Sequence, residues 1–188
     1  MPAMTGSVPN REGRRPVPID VDRMPRIEGL LVPEEFYTVL DGPGRLAGMV
    51  RPSARTPWRA VADERFRYVV CLTDDEPPYD PFPIELLCAV YLEDLYGGIP
   101  PTNPDGEAER IVEAVDRIVG ALRSGEGVIV HCVGGTGRTG TVIGGVLRRF
   151  GHSADNVRAY LDRLHRQRGS GWPESSWSAM LLDRIEPA

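Results

Sequence analysis

The chain contains no lysine. All 22 of its basic residues are arginine. Any phosphate site must therefore work without the mobile ammonium group of lysine. This removes the Walker type of nucleotide loop, whose lysine reaches the β- and γ-phosphates. Cysteine is scarce as well. Cys71, Cys88 and Cys132 are too few and too irregularly spaced for a disulfide framework. That usage leads us to expect a cytoplasmic location, where thiols stay reduced. Long apolar runs are missing, and no stretch approaches the ~18 residues of a membrane span. Met1 to Pro18 is rich in Pro and Arg and has no apolar core of the signal-peptide kind. Positive charge is not in excess. The net charge of −5 argues against nucleic acid as a partner. What remains is 188 residues, 41% of them hydrophobic, which is enough for one domain with a core and a tail.

The most informative stretch is His131-Cys132-Val133-Gly134-Gly135-Thr136-Gly137-Arg138-Thr139-Gly140. It follows a β-branched apolar run, 127–130, and precedes an apolar helical pattern, 141–150. It thus reads as strand, tight loop and helix start. Five residues separate Cys132 from Arg138, and three of them are Gly. Such a loop can curl around one tetrahedral anion, with its N–H groups turned inward and a helix N-terminus added. Arg138 can close the cradle with a two-pronged guanidinium. Cys132 then lies at its floor, in the electropositive setting that suits a nucleophilic sulfur. A bland alternative is a glycine-rich turn beside a buried cysteine. It leaves the register of Cys132 with Arg138 without a reason.

Around this loop the chain alternates strands and helices. Residues 1–28, rich in Pro and Arg and without periodicity, are expected to form a flexible arm or to drape over the domain. Its Arg11, Arg14 and Arg15 can touch a partner, but a solvated tail is the preferred reading. Residues 29–188 form the domain. Phe36–Leu40 and Arg45–Met49 flank Asp41-Gly42-Pro43-Gly44 as a hairpin. Residues 57–64 suit a short helix carrying Trp58 and Val61. Arg67–Leu72 and Leu86–Leu92 read as strands buried in a parallel sheet, separated by the acidic loop 73–78. A long loop, 93–106, is punctuated by Gly and Pro. A helix follows, capped by Asn103 or Asp105, with Ile111, Val115, Ile118, Val119 and Leu122 on one face. Ser124-Gly125 stops it. Gly144-Gly145 inside the next helix implies close packing on the sheet. Ser153 or Asp155 starts a further helix to about Arg168. Pro173 opens a last one, to Ile185. The expected fold is α/β: a single domain whose central, mostly parallel sheet is flanked by helices, with the loop at a strand's carboxyl end.

His-Cys-x5-Arg-Thr-Gly resembles the signature of cysteine-dependent protein phosphatases of the tyrosine and dual-specificity class. Gly44-Arg45-Leu46-Ala47-Gly48 is similar to an early strand of the atypical dual-specificity members. The resemblance extends over about residues 30–186. It implies the protein tyrosine phosphatase fold and hydrolysis of phosphomonoesters through a phosphocysteine. Cys132 would be the nucleophile. The amides of Val133, Gly134, Gly135, Thr136 and Gly137, with Arg138, would bind the transferring group. Thr139 would donate to the sulfur as it leaves, and His131 would orient the loop. No metal or cofactor is implied. The family's acid is an Asp on a loop after the strand preceding the helix. Asp94 and Asp105 are the candidates. Asp94 follows the strand directly and is preferred, while Asp105 sits where a helix cap is expected.

Two departures stand out. The segment from Asp94 to Cys132 is longer than usual. After Pro173-Glu174-Ser175 the expected glutamine is missing, and Ser178 stands near its place, so no water-positioning residue is assigned. The arginines 163, 166 and 168 read as helix capping and solubility. Trp172 and Trp177 line either the pocket mouth or the core, and Cys71 and Cys88 are inert core residues. The loop has no basic residue between Cys132 and Arg138, which disfavours highly charged head groups. The expected substrates are phosphotyrosine and also phosphoserine or phosphothreonine on proteins, acted on by a monomer without nucleic acid or membrane. A binding module without turnover, a phosphatase of a small non-protein phosphomonoester and a rhodanese-type sulfurtransferase are the competing readings.

Overall fold

A computed structural model describes residues 15–188. Arg11 and Arg14, two of the arm's candidate contacts, lie outside the described residues. The segment 15–28 lies against the domain. Arg15 donates to the Gly151 carbonyl at 2.7 Å, the Ile19 N–H donates to the Val39 carbonyl at 2.9 Å, and Met24 and Ile27 are buried.

Among the described residues, five strands form one sheet: β1 (Phe36–Leu40), β2 (Leu46–Met49), β3 (Phe66–Cys71), β4 (Glu85–Ala89) and β5 (Gly127–His131). Their order is β1-β2-β5-β3-β4. The β1–β2 hairpin is antiparallel and every other pairing is parallel. Its turn passes so close to the next layer that a Cβ on Gly44 would lie 2.2 Å from the Leu122 carbonyl oxygen. The helices are α1 (Trp58–Asp63), α2 (Pro104–Arg123), α3 (Gly137–Arg149), α4 (Ala154–Gln167) and α5 (Ser176–Arg184).

Alternation along the central strand divides the core in two. Val128 and Val130 of β5 join the cluster built with α2, α3, α4 and α5. Ile129 faces the other way, into the cluster with Trp58 and Val61 of α1. Both faces of β5 are covered, which is why its sequence is an unbroken apolar run. The family's α/β architecture, with helices flanking a mostly parallel sheet, is present.

Three local expectations need correction. The segment 86–92 was expected to be a buried strand. The strand ends at Ala89 and lies at the sheet edge, paired only with β3, so Glu85 and Leu86 are exposed. Its apolar content reflects one covered face, not two. Gly144 and Gly145 do serve close packing, but against helices. A Cβ on Gly144 would meet Leu182 at 3.0 Å, and one on Gly145 would meet Val115 at 2.6 Å. The last helix begins at Ser176 and not at Pro173. Ser175 stays extended and its hydroxyl accepts from the Trp177 N–H at 3.3 Å, an N-cap that outcompetes a proline start. The two open caps are resolved in the same way. Asn103 Oδ1 accepts from Gly106 N–H at 3.1 Å, and Ser153 Oγ accepts from Asn156 N–H at 3.3 Å. No helix among the described residues is long and apolar enough to cross a membrane.

Candidate active site

The central strand β5 ends at His131 and hands the chain to a loop, 132–136, that closes on the first turn of α3. Cys132 lies at the loop's floor, 3% exposed. At Gly135 the backbone has φ +68°, and a Cβ there would lie 2.6 Å from the Met49 carbonyl oxygen. Only glycine meets both conditions. The loop's carbonyls are held from outside. Val133 O accepts from the Arg51 N–H at 2.8 Å. Gly135 O accepts from the Tyr37 hydroxyl at 2.7 Å. The Thr136 and Ser170 hydroxyls meet at 3.1 Å. Val133 is half-exposed at the rim, while Thr136 is buried.

His131 is completely buried, and its ring makes two contacts. Nδ1 meets the Cys132 carbonyl at 3.1 Å, and Nε2 meets the Tyr79 hydroxyl at 2.5 Å. A carbonyl can only accept, so Nδ1 carries the proton and Nε2 accepts from Tyr79. Burial pushes the imidazole down to about 4, so it is neutral at pH 7. Tyr79 in turn stacks on Trp58. Nothing in the sequence linked Tyr79, 52 residues earlier, to this histidine.

Arg138, on the first turn of α3, donates through Nη2 to Asp94 Oδ2 at 3.0 Å and through Nη1 to the Leu92 carbonyl at 3.4 Å. The Asp94 carboxylate is over half exposed and also accepts from the Tyr96 N–H at 3.2 Å. Asp105 is on the far side of α2's first turn. Its side chain is 87% exposed and pairs with Arg184 of α5 at 3.6 Å. The structure therefore brings Asp94 to Arg138 and keeps Asp105 at another helix. Thr139 is buried, but its hydroxyl has no partner among the described residues, so the expected bond to the cysteine sulfur is not made here. Trp172 and Trp177 are both buried in the core.

Glu174 is a residue that the sequence reading did not place at the site. Its half-buried carboxylate packs on Gly137, where a Cβ would lie 1.6 Å from Oε2. Burial raises its pKa, and the Asp94 charge adds to the rise, while Arg138 and the Gly137 amide oppose it. The only sequence signal for it is Pro173-Glu174-Ser175, whose spacing does not tie Glu174 to the loop 37 residues earlier at Gly137.

A Cys-x5-Arg loop at the carboxyl end of the middle strand, with a helix N-terminus beyond it, defines the protein tyrosine phosphatase class of fold and site. The comparisons agree. A family model described as "Swiss Army Knife protein, DSP-PTPase phosphatase domain" matches residues 35–177, and the chain belongs to that phosphatase family. Among solved structures it is similar to Tk-PTP in its active form, at 26% identity over 83% of this chain and 98% of that one, with a TM-score of 0.58. It shares the fold of human DUSP28, at 18% identity over 82% and 95% of the two chains and a TM-score of 0.59. It also shares the fold of the core catalytic domain of the PP-IP phosphatase SIW14 from S. cerevisiae, at 15% identity over 84% and 89%, with a TM-score of 0.58.

Proposed function

We propose that this domain hydrolyses phosphomonoesters on proteins through a phosphocysteine, with phosphotyrosine as substrate and phosphoserine and phosphothreonine as further ones. The observation that carries the reading is the single loop that seats a buried Cys132 at its floor, has its Val133 and Gly135 carbonyls held from outside, and ends at Arg138 on the first turn of α3. The Cys132 sulfur attacks phosphorus as a thiolate. The S–P bond forms as the P–O bond of the ester breaks. The amides of 133–137 and Arg138 hold the three equatorial oxygens, over which the charge of the transition state is spread. When the incoming phosphate takes up Arg138, the Asp94 carboxylate is released from its ion pair, takes a proton from solvent, and gives that proton to the departing oxygen. It then takes a proton from the water that attacks the phosphocysteine, and inorganic phosphate leaves. His131 keeps the floor of the loop in place through the Cys132 carbonyl.

The protein substrate is favoured by the rim. Tyr96 is 82% exposed, Ile99 63% and Val133 51%, and the loop carries no base before Arg138. Such a mouth suits an aromatic ring better than a polyanionic head group. The competing reading, a small non-protein phosphomonoester, draws support from the fold shared with a PP-IP phosphatase. The test is phosphate release from para-nitrophenyl phosphate, a phosphotyrosine peptide, a phosphoserine peptide and an inositol polyphosphate, each with and without vanadate. Vanadate-sensitive release, fastest from the phosphotyrosine peptide, is expected. Preference for the inositol polyphosphate would transfer the assignment to the small-molecule reading. Failure on every ester, with phosphopeptide binding intact, would leave a binding module.

A further inference from the structure

We infer that Arg168 is a positioning residue for the phosphate loop: from behind, it fixes the direction of two loop peptides so that their N–H groups face the anion. This rests on the reading of the loop as an anion cradle and adds a residue to it. In the sequence Arg168 looked like one of three solubilising cations at a helix end. The other two behave that way. Arg163 pairs with Asp20 at 3.3 Å and Arg166 with Asp162 at 3.0 Å, both with well-exposed side chains. Arg168 turns inward instead.

Every N–H of its guanidinium is engaged. Nε donates to Pro33 O at 2.9 Å and Nη2 to Glu34 O at 2.9 Å, which anchors the group to the segment before β1. The plane so fixed presents Nη1 to Gly135 O at 3.0 Å and Nη2 to Gly134 O at 3.2 Å. Nη1 also reaches Thr136 Oγ1 at 3.1 Å and His165 Nδ1 at 2.9 Å. The guanidinium carbon sits 4.4 Å from the centre of the Tyr37 ring. The phenol of that ring donates to the same Gly135 carbonyl at 2.7 Å. Burial pushes the Tyr37 phenol up, so it stays protonated as a donor. His165 is buried and its pKa is pushed down to about 3, so it stays neutral as an acceptor.

In a trans peptide the carbonyl and the next N–H point in opposite directions. Holding Gly134 O outward therefore turns the Gly135 N–H inward, and holding Gly135 O outward does the same for the Thr136 N–H. Gly134 and Gly135 have no side chains to fix these peptides, and glycine pairs rotate readily. A reversed peptide would aim a carbonyl oxygen at the bound dianion. Arg168 and Tyr37 close off that alternative before any anion arrives, and donors fixed in advance are the ones worth most in a transition state. The planar fork matters, because a single ammonium cannot span two carbonyls and two anchors.

The experiment compares Arg168→Met, Arg168→Lys and Tyr37→Phe with the wild type, using Arg163→Gln and Arg166→Gln as controls. It reads inhibition by vanadate, equilibrium binding of inorganic phosphate, kcat and KM on para-nitrophenyl phosphate, and Tm. Arg168→Met is expected to weaken both anions by about tenfold or more and to lower kcat as well as raise KM. Arg168→Lys should recover only part of this, Tyr37→Phe should show a smaller loss, and the controls should match the wild type. Vanadate affinity within about twofold of wild type in Arg168→Met, with only Tm lowered, would overturn the inference. If Arg168→Met does not fold, Arg168→Lys and Tyr37→Phe decide it, and wild-type anion affinity in both would overturn it. A wild type that binds vanadate but releases no phosphate would sink the phosphatase reading and leave this comparison valid. A wild type that binds neither anion would sink both.

Discussion

The phosphate loop and the loop that carries Asp94 face each other across the site, and they are held in opposite ways. The phosphate loop is gripped along its whole back by Tyr37, Arg51, Ser170 and Arg168. The loop of residues 90–103 is held chiefly at its base, with Leu95 buried in the core and the Gly98 carbonyl accepting from the Ser175 hydroxyl at 3.5 Å. The Glu93 carboxylate accepts from the Thr102 N–H and hydroxyl at 2.8–3.1 Å, and those bonds lower its pKa. The Glu93 N–H donates to Glu107 at 2.9 Å. Beyond that base, Tyr96 and Ile99 stand in solvent. The difference fits the two tasks proposed for these loops. A cradle must not reorganise as charge develops, whereas a general acid that starts in an ion pair with Arg138 has to leave it to reach an oxygen.

The largest effect should come from the rigid side. Cys132→Ser should abolish turnover yet still bind a phosphopeptide, because the cradle is intact and serine is not ionised at neutral pH. Calorimetric binding combined with single-turnover rates checks this, and wild-type-like turnover would remove the thiolate mechanism.

Next comes the side that carries Asp94. Asp94→Asn should lose about 10²–10⁴-fold on phosphotyrosine and less on aryl esters whose leaving group is a stable anion. Asp105→Asn should leave that dependence unchanged, since Asp105 faces Arg184. A series of leaving groups separates the two variants. Steepening in Asp105→Asn alone would reverse the assignment.

A smaller effect sharpens the contrast between the loops. Glu93→Gln should loosen the base of the Asp94 loop and lower kcat by about two- to tenfold, with vanadate affinity unchanged. Equal losses in kcat and vanadate affinity would mean that the two loops act as one unit.

The smallest effect is on stability. Glu174 has a raised pKa in the folded state, so the folded protein binds its proton more tightly than the unfolded chain. Its contribution to stability is therefore lost as pH rises from the ordinary glutamate range through the raised value. Glu174→Gln should flatten that fall in Tm, which scanning calorimetry across pH 4–7 would detect as a difference of about a degree or two. An unchanged pH profile would show that burial does not penalise this carboxylate.

The sequence already carried the strand–loop–helix at 127–150, because its signals are local: a doubly buried strand reads as an apolar run, and a tight turn around an anion reads as glycine in register with Cys132 and Arg138. The apolar face of α2 was legible for the same reason, with a fixed helical period. The family resemblance ranked Asp94 above Asp105 through its place after the strand, and the packing puts each beside a different arginine. What could not be read were contacts whose partners are far apart in the chain. Tyr79 on His131, Glu174 on the first turn of α3 and Arg168 behind Gly134 and Gly135 have no shared periodicity to reveal them. Edge or centre for β4 was equally hidden, since strand order depends on which neighbours a sheet recruits and not on the strand's own residues. The sequence by itself determined which candidate groups stand in register on one short loop, through residue type and spacing. Only the tertiary structure decided which distant side chains hold those groups in place, because desolvation, peptide orientation and ion pairing are set by neighbours in space.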